Sequence, residues 1–194
     1  KSMEATDPDS VSYLEITRLL IVKPLTAFKL ILEKNENMPQ VIILGLFGML
    51  NAITPILLNN TIDGVRVFEL IFKGAIGAVA GWFLVWFMAL LTNAANNILK
   101  LESDSDDVFY IFSFSFVPLI FTMLFIIILR FLSAPLALNF ASILFLFGYI
   151  WTIILFYIGN RFLTKANWIK NSIAIIVPVM LIVVINVIMV NLRS

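Results

Sequence analysis

Two long apolar runs separated by a short acidic segment constrain this sequence more than any other feature. Residues 81–100 and 108–130 are almost free of charge, whereas the seven residues between them, LESDSDD, carry four carboxylates. The hydrocarbon core of a bilayer is about 30 Å thick, and roughly 20 apolar residues in a helix cross it. Each run has that length and the acidic hinge (residues 101–107) does not. The chain is therefore predicted to form a helical hairpin through the membrane here.

The composition points to a membrane protein and removes several kinds of chemistry. Of 194 residues, 61% are hydrophobic and 13% are charged, whereas a soluble domain is about half apolar and about a quarter charged. A net charge of +1 with no basic tract argues against a nucleic-acid partner. The chain has no Cys and no His, so disulfides, thiol nucleophiles and Cys/His zinc sites are excluded. No cofactor or metal is expected.

The apolar runs together predict an all-α, polytopic membrane bundle with five spans. The predicted spans are 39–58, 74–99, 108–130, 136–159 and 172–192, within a membrane domain of residues 39–194. No Asp, Glu, Lys or Arg falls in the middle of any of them. Intramembrane ionisable groups are the usual mark of proton relays, ion coupling and intramembrane hydrolysis. The pattern therefore argues against an enzyme and against a proton-coupled carrier.

The segment before the first span, residues 11–38, is amphipathic and too short to cross the membrane. Polar residues recur every three positions in its first half, and after Pro24 one face is apolar and the opposite face is charged. This pattern predicts two short helices that lie at the membrane surface with their apolar faces toward it. The alternative is a solvated lead-in that packs on the bundle. Residues 1–10 are a polar tail, not a signal peptide, and are interpreted as a remnant of expression or truncation.

Small residues in the first two spans predict that helices approach one another closely there. They are Gly45, Gly48 and Ala52 in the first span and Gly74, Gly77 and Gly81 in the second. Small residues spaced four apart let two backbones come into contact. Such a stripe serves either packing inside one bundle or a dimer face, and the first interpretation is favoured.

A cluster of three asparagines ends the second span. Asn93, Asn96 and Asn97 are predicted to bond neighbouring helices, headgroups or water in preference to a ligand. The amides of Asn51, Asn93 and Asn186 could line a polar path through the membrane, and the competing interpretation is that they join helices.

The acidic hinge holds the densest group of ligand-type side chains. Asp104, Asp106 and Asp107 lie directly before the third span. Carboxylates at a helix start accept hydrogen bonds from free backbone N–H groups and complement the helix dipole. A weak cation site is the alternative, but the segment lacks the length and the central glycine of an EF-hand loop. Helix capping is therefore the favoured interpretation.

Prolines inside two spans predict kinks. Pro118 lies in the middle of the third span and Pro178 in the fifth. Proline removes one backbone hydrogen bond, and Ser113 and Ser115 are expected to satisfy carbonyls freed near Pro118.

The distribution of Lys and Arg predicts the orientation. With the N-terminus inside, the inner side collects nine cations and the outer side four. The inner set is Lys1, Arg18, Lys23, Lys29, Lys34, Lys100, Arg161, Lys165 and Lys170, and the outer set is Arg66, Lys73, Arg130 and Arg193. An excess of positive charge marks the cytoplasmic side. The N-terminus and the acidic hinge are therefore predicted to be cytoplasmic.

Three motifs accompany the five predicted spans. They are PLTAF at 24–28, the Phe-rich FYIFSFSFVPLI at 109–120 and YIGN at 157–160. Over residues 17–190 the chain resembles the Yip domain family, the Ypt/Rab-interacting protein superfamily, in its bacterial form. The acidic hinge stands where bacterial relatives often have glycines. The Asp-Leu-Tyr-Gly-Pro element of the eukaryotic proteins is missing, so Rab binding is not carried over.

The resemblance implies a non-enzymatic, multi-pass protein of the bacterial inner membrane. Such a protein is expected to be an accessory or organising subunit that acts through the bilayer, a membrane-protein partner or a second copy of itself, sometimes alongside an export system. Pro24 and Phe28 are then candidate interface or packing residues. The alternative is a small channel, carrier or lipid-translocating protein built around the two kinked spans.

Overall fold

The computed structural model describes residues 11–34, 37–59 and 67–191. Within these ranges the chain is helical, without strands, and the all-α prediction is confirmed. The helices are α1 (Tyr13–Val22), α2 (Pro24–Lys34), α3 (Asn37–Asn59), α4 (Val67–Ile98), α5 (Ser105–Ser115), α6 (Val117–Leu132), α7 (Ala134–Thr164) and α8 (Trp168–Asn191).

The described helices include four segments long and apolar enough to cross a membrane. They are Pro39–Leu58, Val67–Ile98, Ser105–Leu132 and Pro135–Thr164. A shorter apolar segment, Trp168–Met180, opens α8. The structure is therefore a bundle of four long apolar helices and a shorter one, which makes the predicted count of five spans approximate. The second span was predicted to begin at residue 74, but α4 already begins at Val67.

The third span lies at the centre of the bundle. In its most apolar stretch 61% of the residues are buried, against 33% or less in the other three long segments. Its phenylalanines stack on neighbouring helices: the rings of Phe112 and Phe156 have centroids 4.2 Å apart, as do those of Phe116 and Phe47. The Phe-rich motif thus forms the aromatic core that α3 and α7 surround.

The same span is broken at Phe116, where α5 ends and α6 begins. Pro118 lies in the first turn of α6, which is where a helix tolerates proline because no N–H is needed. The backbone irregularity therefore comes two residues before the proline. Pro178 lies inside α8.

The expected role of the two serines beside this break is wrong. Pro118 leaves the carbonyl of Phe114 without its usual partner. Ser113 and Ser115 instead each donate to the carbonyl four residues earlier, both at 2.7 Å. Helical serines commonly make this local bond, because the hydroxyl reaches the preceding turn.

Helices α1 and α2 form a hairpin that packs on the bundle. The Lys34 ammonium lies 4.9 Å from the centroid of the Tyr13 ring and joins the two helices. Their buried residues are Ile16, Leu20, Ala27, Phe28 and Ile31, and these pack with Tyr110, Ile111, Phe114 and Leu155. The contacts agree with the packed alternative for residues 11–38. Leu14, Val22 and Leu25 remain exposed, and a location at the membrane surface stays a prediction.

Helices α3 and α4 touch backbone to backbone at three glycines. A Cβ added to Gly81 would lie 2.5 Å from the Gly48 Cα, and one added to Gly77 would lie 2.5 Å from the Ala52 Cβ. One added to Gly48 would overlap the Gly77 carbonyl. The small residues are thus used for packing between these two helices.

Two other glycines of the predicted stripe lie outside this backbone contact. A Cβ on Gly45 would meet nothing within 4 Å, so this position faces open space. Gly74 faces the side chains of Ile53 and Met49, at 3.1 and 3.2 Å from an added Cβ. Gly45 was grouped with Gly48 because of its spacing, and the helix rotation excludes it from the contact.

We expect Gly48→Ala to destabilise the fold by about 1–3 kcal/mol, because the added methyl would push α3 away from α4. Thermal unfolding of the purified protein in mild detergent measures the effect. Gly45→Ala is the matched control on the same helix, and it should be neutral or slightly stabilising. Equal melting temperatures for the two variants would contradict the assigned contact.

Candidate functional site at the hinge end of the bundle

One end of the bundle gathers most of the residues that the sequence singled out. We call it the hinge end, where α4 and α7 finish and α5 and α8 begin (residues 92–107 and 157–171). The turn after α4 contains Lys100 and the C-cap of α7 is Lys165, both with left-handed backbone, at φ of 56° and 50°. The Leu101 N–H then donates to the Asn96 carbonyl at 2.9 Å, which closes the end of α4.

Three buried asparagines join three helices at the hinge end. Asn96 Nδ2 donates to Asn160 Oδ1 at 2.9 Å, and Asn160 Nδ2 donates back at 3.2 Å. Asn160 Nδ2 also donates to Asn171 Oδ1 at 2.9 Å. All three side chains are 1% exposed or less. These bonds link α4, α7 and α8 in what we call the asparagine network.

Neighbouring bonds attach the hinge segment to this network. Asn96 Nδ2 also donates to the Ser103 hydroxyl at 3.2 Å, and that hydroxyl donates to Asn93 Oδ1 at 2.7 Å. Asn171 Nδ2 donates to the Tyr157 carbonyl at 2.9 Å. The Lys170 ammonium donates to the Leu99 carbonyl at 3.1 Å. The segment between α4 and α5 is therefore hydrogen-bonded by side chains of both α4 and α8.

The structure brings together two of the three predicted asparagines and adds two. Asn93 and Asn96 lie in or beside the asparagine network, whereas Asn97 is exposed. Asn160 was noted only as part of the YIGN motif, and Asn171 was missed. In the sequence, Asn171 is a polar residue at the start of an apolar run. This pattern is common at helix ends and therefore did not mark Asn171 as a site residue.

Of the three amides considered for a polar path, the structure places Asn93 beside this network. Asn51 is exposed on α3, and the side chain of Asn186 lies outside the described residues. The network itself offers only neutral amides and a hydroxyl. Among the described residues no group of three or more His, Cys, Asp or Glu side chains is arranged to hold a metal ion. Hydrogen bonding and rigid positioning are what this arrangement can provide.

The acidic hinge supplies the cap of α5. Asp104 is the N-cap residue, and its carboxylate accepts from the Asp106 N–H at 2.9 Å. Asp106 and Asp107 lie in the first turn, where negative charge complements the helix dipole. The geometry assigns the side-chain cap to Asp104 in particular.

Residues of the three motifs meet beside the asparagine network. A Cβ added to Gly159 would overlap the Ile111 side chain and would lie 3.2 Å from the Phe28 ring. Only glycine therefore lets α2 and α5 approach α7 at this point. Gly159 directly precedes Asn160, so the packing of Phe28 and the asparagine network share one turn of α7.

We expect Asn96→Ala to lower the stability by about 1–2 kcal/mol, because it leaves the buried Asn160 Oδ1 without its hydrogen-bond donor, while Asn160 Nδ2 keeps its bond to Asn171. Thermal unfolding in detergent measures the loss. Asn97→Ala is a matched control, since it makes the same change one residue later at an exposed position and should cost less than about 0.5 kcal/mol. If both variants melt alike, the network does not hold the helices together.

We expect Asp104→Ala to cost about 1 kcal/mol, because the N-cap acceptor is lost. Asp104→Asn keeps an oxygen acceptor at the same place and should retain most of the stability. Chemical or thermal unfolding of both variants compares the two. A loss that is as large in Asp104→Asn would assign the effect to the charge and not to the cap.

Comparison with known proteins places this architecture in a family. A sequence model of the Yip1 domain matches residues 18–190, which is nearly the entire chain. Searches of curated proteins and of solved structures gave no significant match. The match covers the PLTAF motif, the Phe-rich central span and the YIGN motif that meet at the hinge end. The chain belongs to the Yip1 domain family of membrane proteins.

Proposed function

We propose that this protein is a non-enzymatic accessory or organising subunit that binds another membrane protein through its hinge end. The observation that carries the proposal is that Phe28 packs against Gly159, whose neighbour in the chain, Asn160, is hydrogen-bonded to Asn96. Residues of the motifs that mark the family thus converge on one end of the bundle. A surface held in this way loses little conformational freedom when a partner binds, which favours association.

The chemistry of the spans supports a binding role over a catalytic one. Asp, Glu, Lys and Arg are absent from the middle of the five predicted spans. The buried amides of Asn96, Asn160 and Asn171 bond one another instead of pointing toward an open cavity. General acid–base chemistry, proton coupling and metal-assisted hydrolysis all need groups that such an interior does not supply.

The rim of the hinge end offers polar contacts to a partner. Asn97, Lys100, Glu102 and Asp104 are exposed there. Exposed groups of both charge signs around a rigid backbone set the register of an interface and select partners more than they add affinity. With the N-terminus inside, this rim would face the cytoplasm, and we place the protein in a bacterial inner membrane on the Lys/Arg asymmetry and the resemblance.

A photoreactive residue at Lys100 is expected to cross-link one defined partner in native membranes, because Lys100 lies on the exposed rim. Mass spectrometry of the adduct identifies the partner. Leu132, which is exposed at the opposite end of α6, is the matched control and should give lipid adducts or none.

Two results would contradict the proposal. If a photoreactive residue at Leu132 gives adducts as abundant and as varied as one at Lys100, the hinge end is not the binding surface. The chain has no native cysteine, so Lys100→Cys can be labelled alone with an impermeant maleimide. Labelling from the outside of intact cells would reverse the assigned orientation.

A further inference from the structure

A groove with basic walls lies between the α1–α2 hairpin and the end of α7. Its volume is about 730 Å³. Three basic residues line it: Lys23 from the turn between α1 and α2, and Arg161 and Lys165 from the last turn of α7. Among the described lining residues none is acidic. The groove therefore carries concentrated positive charge.

These three cations have no anionic partner in the part of the chain that the structure describes. The ion pairs found there are Lys29 with Glu33 and Lys73 with Glu69, both elsewhere on the surface. All three groove cations are exposed. Cations at the C-terminus of a helix complement its dipole. This accounts singly for Arg161 and Lys165 at the end of α7 and for Lys23, the C-cap of α1, but not for the convergence of all three on one groove.

The groove continues into an apolar surface. Ile158 and Phe162 line it from α7 and Leu25 from α2. On α7, Ile150, Ile154 and Ile158 follow one another at four-residue spacing and so lie on one face. Ile150 and Ile154 are exposed. An apolar stripe thus runs along α7 and ends in the basic groove.

The sequence places this junction at the edge of the hydrocarbon layer. Arg161 is the first charged residue after Arg130, so thirty residues without a charge precede it. Lipid acyl chains are available along this stretch, and lipid phosphates are available where it ends. A soluble ligand would not need the apolar stripe.

We propose that the groove binds an anionic phospholipid. Its phosphate contacts Lys23, Arg161 and Lys165, and one acyl chain lies along Ile158, Ile154 and Ile150. This site goes beyond the partner-binding role of the hinge end, because the lipid occupies the side of the bundle and not the rim around Lys100. The bound lipid joins the α1–α2 hairpin to α7 at the level of the headgroups.

Native mass spectrometry of the purified protein in mild detergent, titrated with phosphatidylglycerol or phosphatidylcholine, tests the proposal. We expect one phosphatidylglycerol to be retained in preference to phosphatidylcholine. The triple variant Lys23→Gln, Arg161→Gln, Lys165→Gln should bind it at least about tenfold more weakly, since each basic side chain near an anionic headgroup strengthens association several-fold.

A control variant with Arg18→Gln, Lys29→Gln and Lys73→Gln removes the same charge away from the groove and should bind as the unmodified protein does. An equal loss of lipid affinity in this control would make the effect one of net charge and would overturn the site.

Retention of phosphatidylglycerol and phosphatidylcholine alike would also overturn the site, as would displacement of the lipid by millimolar glycerol 3-phosphate. A dimer that excludes the lipid would assign the groove to a second copy of the chain. The melting temperatures of both triple variants verify folding. Loss of partner cross-linking at Lys100 with lipid binding intact would contradict only the partner-binding role of the rim and leave the lipid site standing.

Discussion

The hinge end is held together by the hydrogen bonds of the buried Asn160 side chain. Apolar side chains gain little by leaving lipid for one another, so helices in a membrane need other contacts to fix their positions. Asn160 supplies directional ones, because its amide bonds Asn96 on α4 and Asn171 on α8. Gly48 fixes α3 against α4 by a different means, the direct contact of two backbones. Directed hydrogen bonds at one end and close approach along the helices together define this bundle.

The opposite end of the bundle is held by a contact of another kind. Arg130 Nε donates to the Leu57 carbonyl at 2.8 Å, so the end of α6 is attached to the end of α3. The last carbonyls of a helix have no partner within the helix, and a guanidinium satisfies one of them well. From the sequence, Arg130 was only a charge at a membrane boundary. Polar contacts therefore hold the helices together at both ends of the bundle, whereas the apolar middle is held by close packing around the Phe-rich span.

Much of the fold could be predicted from the sequence, because a helix in lipid must satisfy its own backbone and therefore shows its length as an apolar run. The spacing of Gly48, Gly77 and Gly81 indicates close approach of helices and leaves packing within the bundle or a dimer face as the two interpretations. The missed features depend on which helices meet. Asn171 gains its meaning only beside Asn160, and the rotation of α3 decides that Gly48 and not Gly45 touches α4. Local patterns predicted a kink at Pro118 but not its position at Phe116, and they did not decide between packing of α1 and α2 on the bundle and a location at the membrane surface.

The left-handed backbone at Lys100 and Lys165 has a consequence for the charge at the hinge end. Helices often end on this conformation, but glycine usually occupies it, because a side chain there costs about 1 kcal/mol or more. Both helices that arrive at the hinge end are followed by a lysine in this conformation instead. Glycine would make either turn less strained, so backbone geometry does not account for the choice. Both side chains are exposed, so each turn sets a positive charge on the surface of the hinge end where a glycine would leave none.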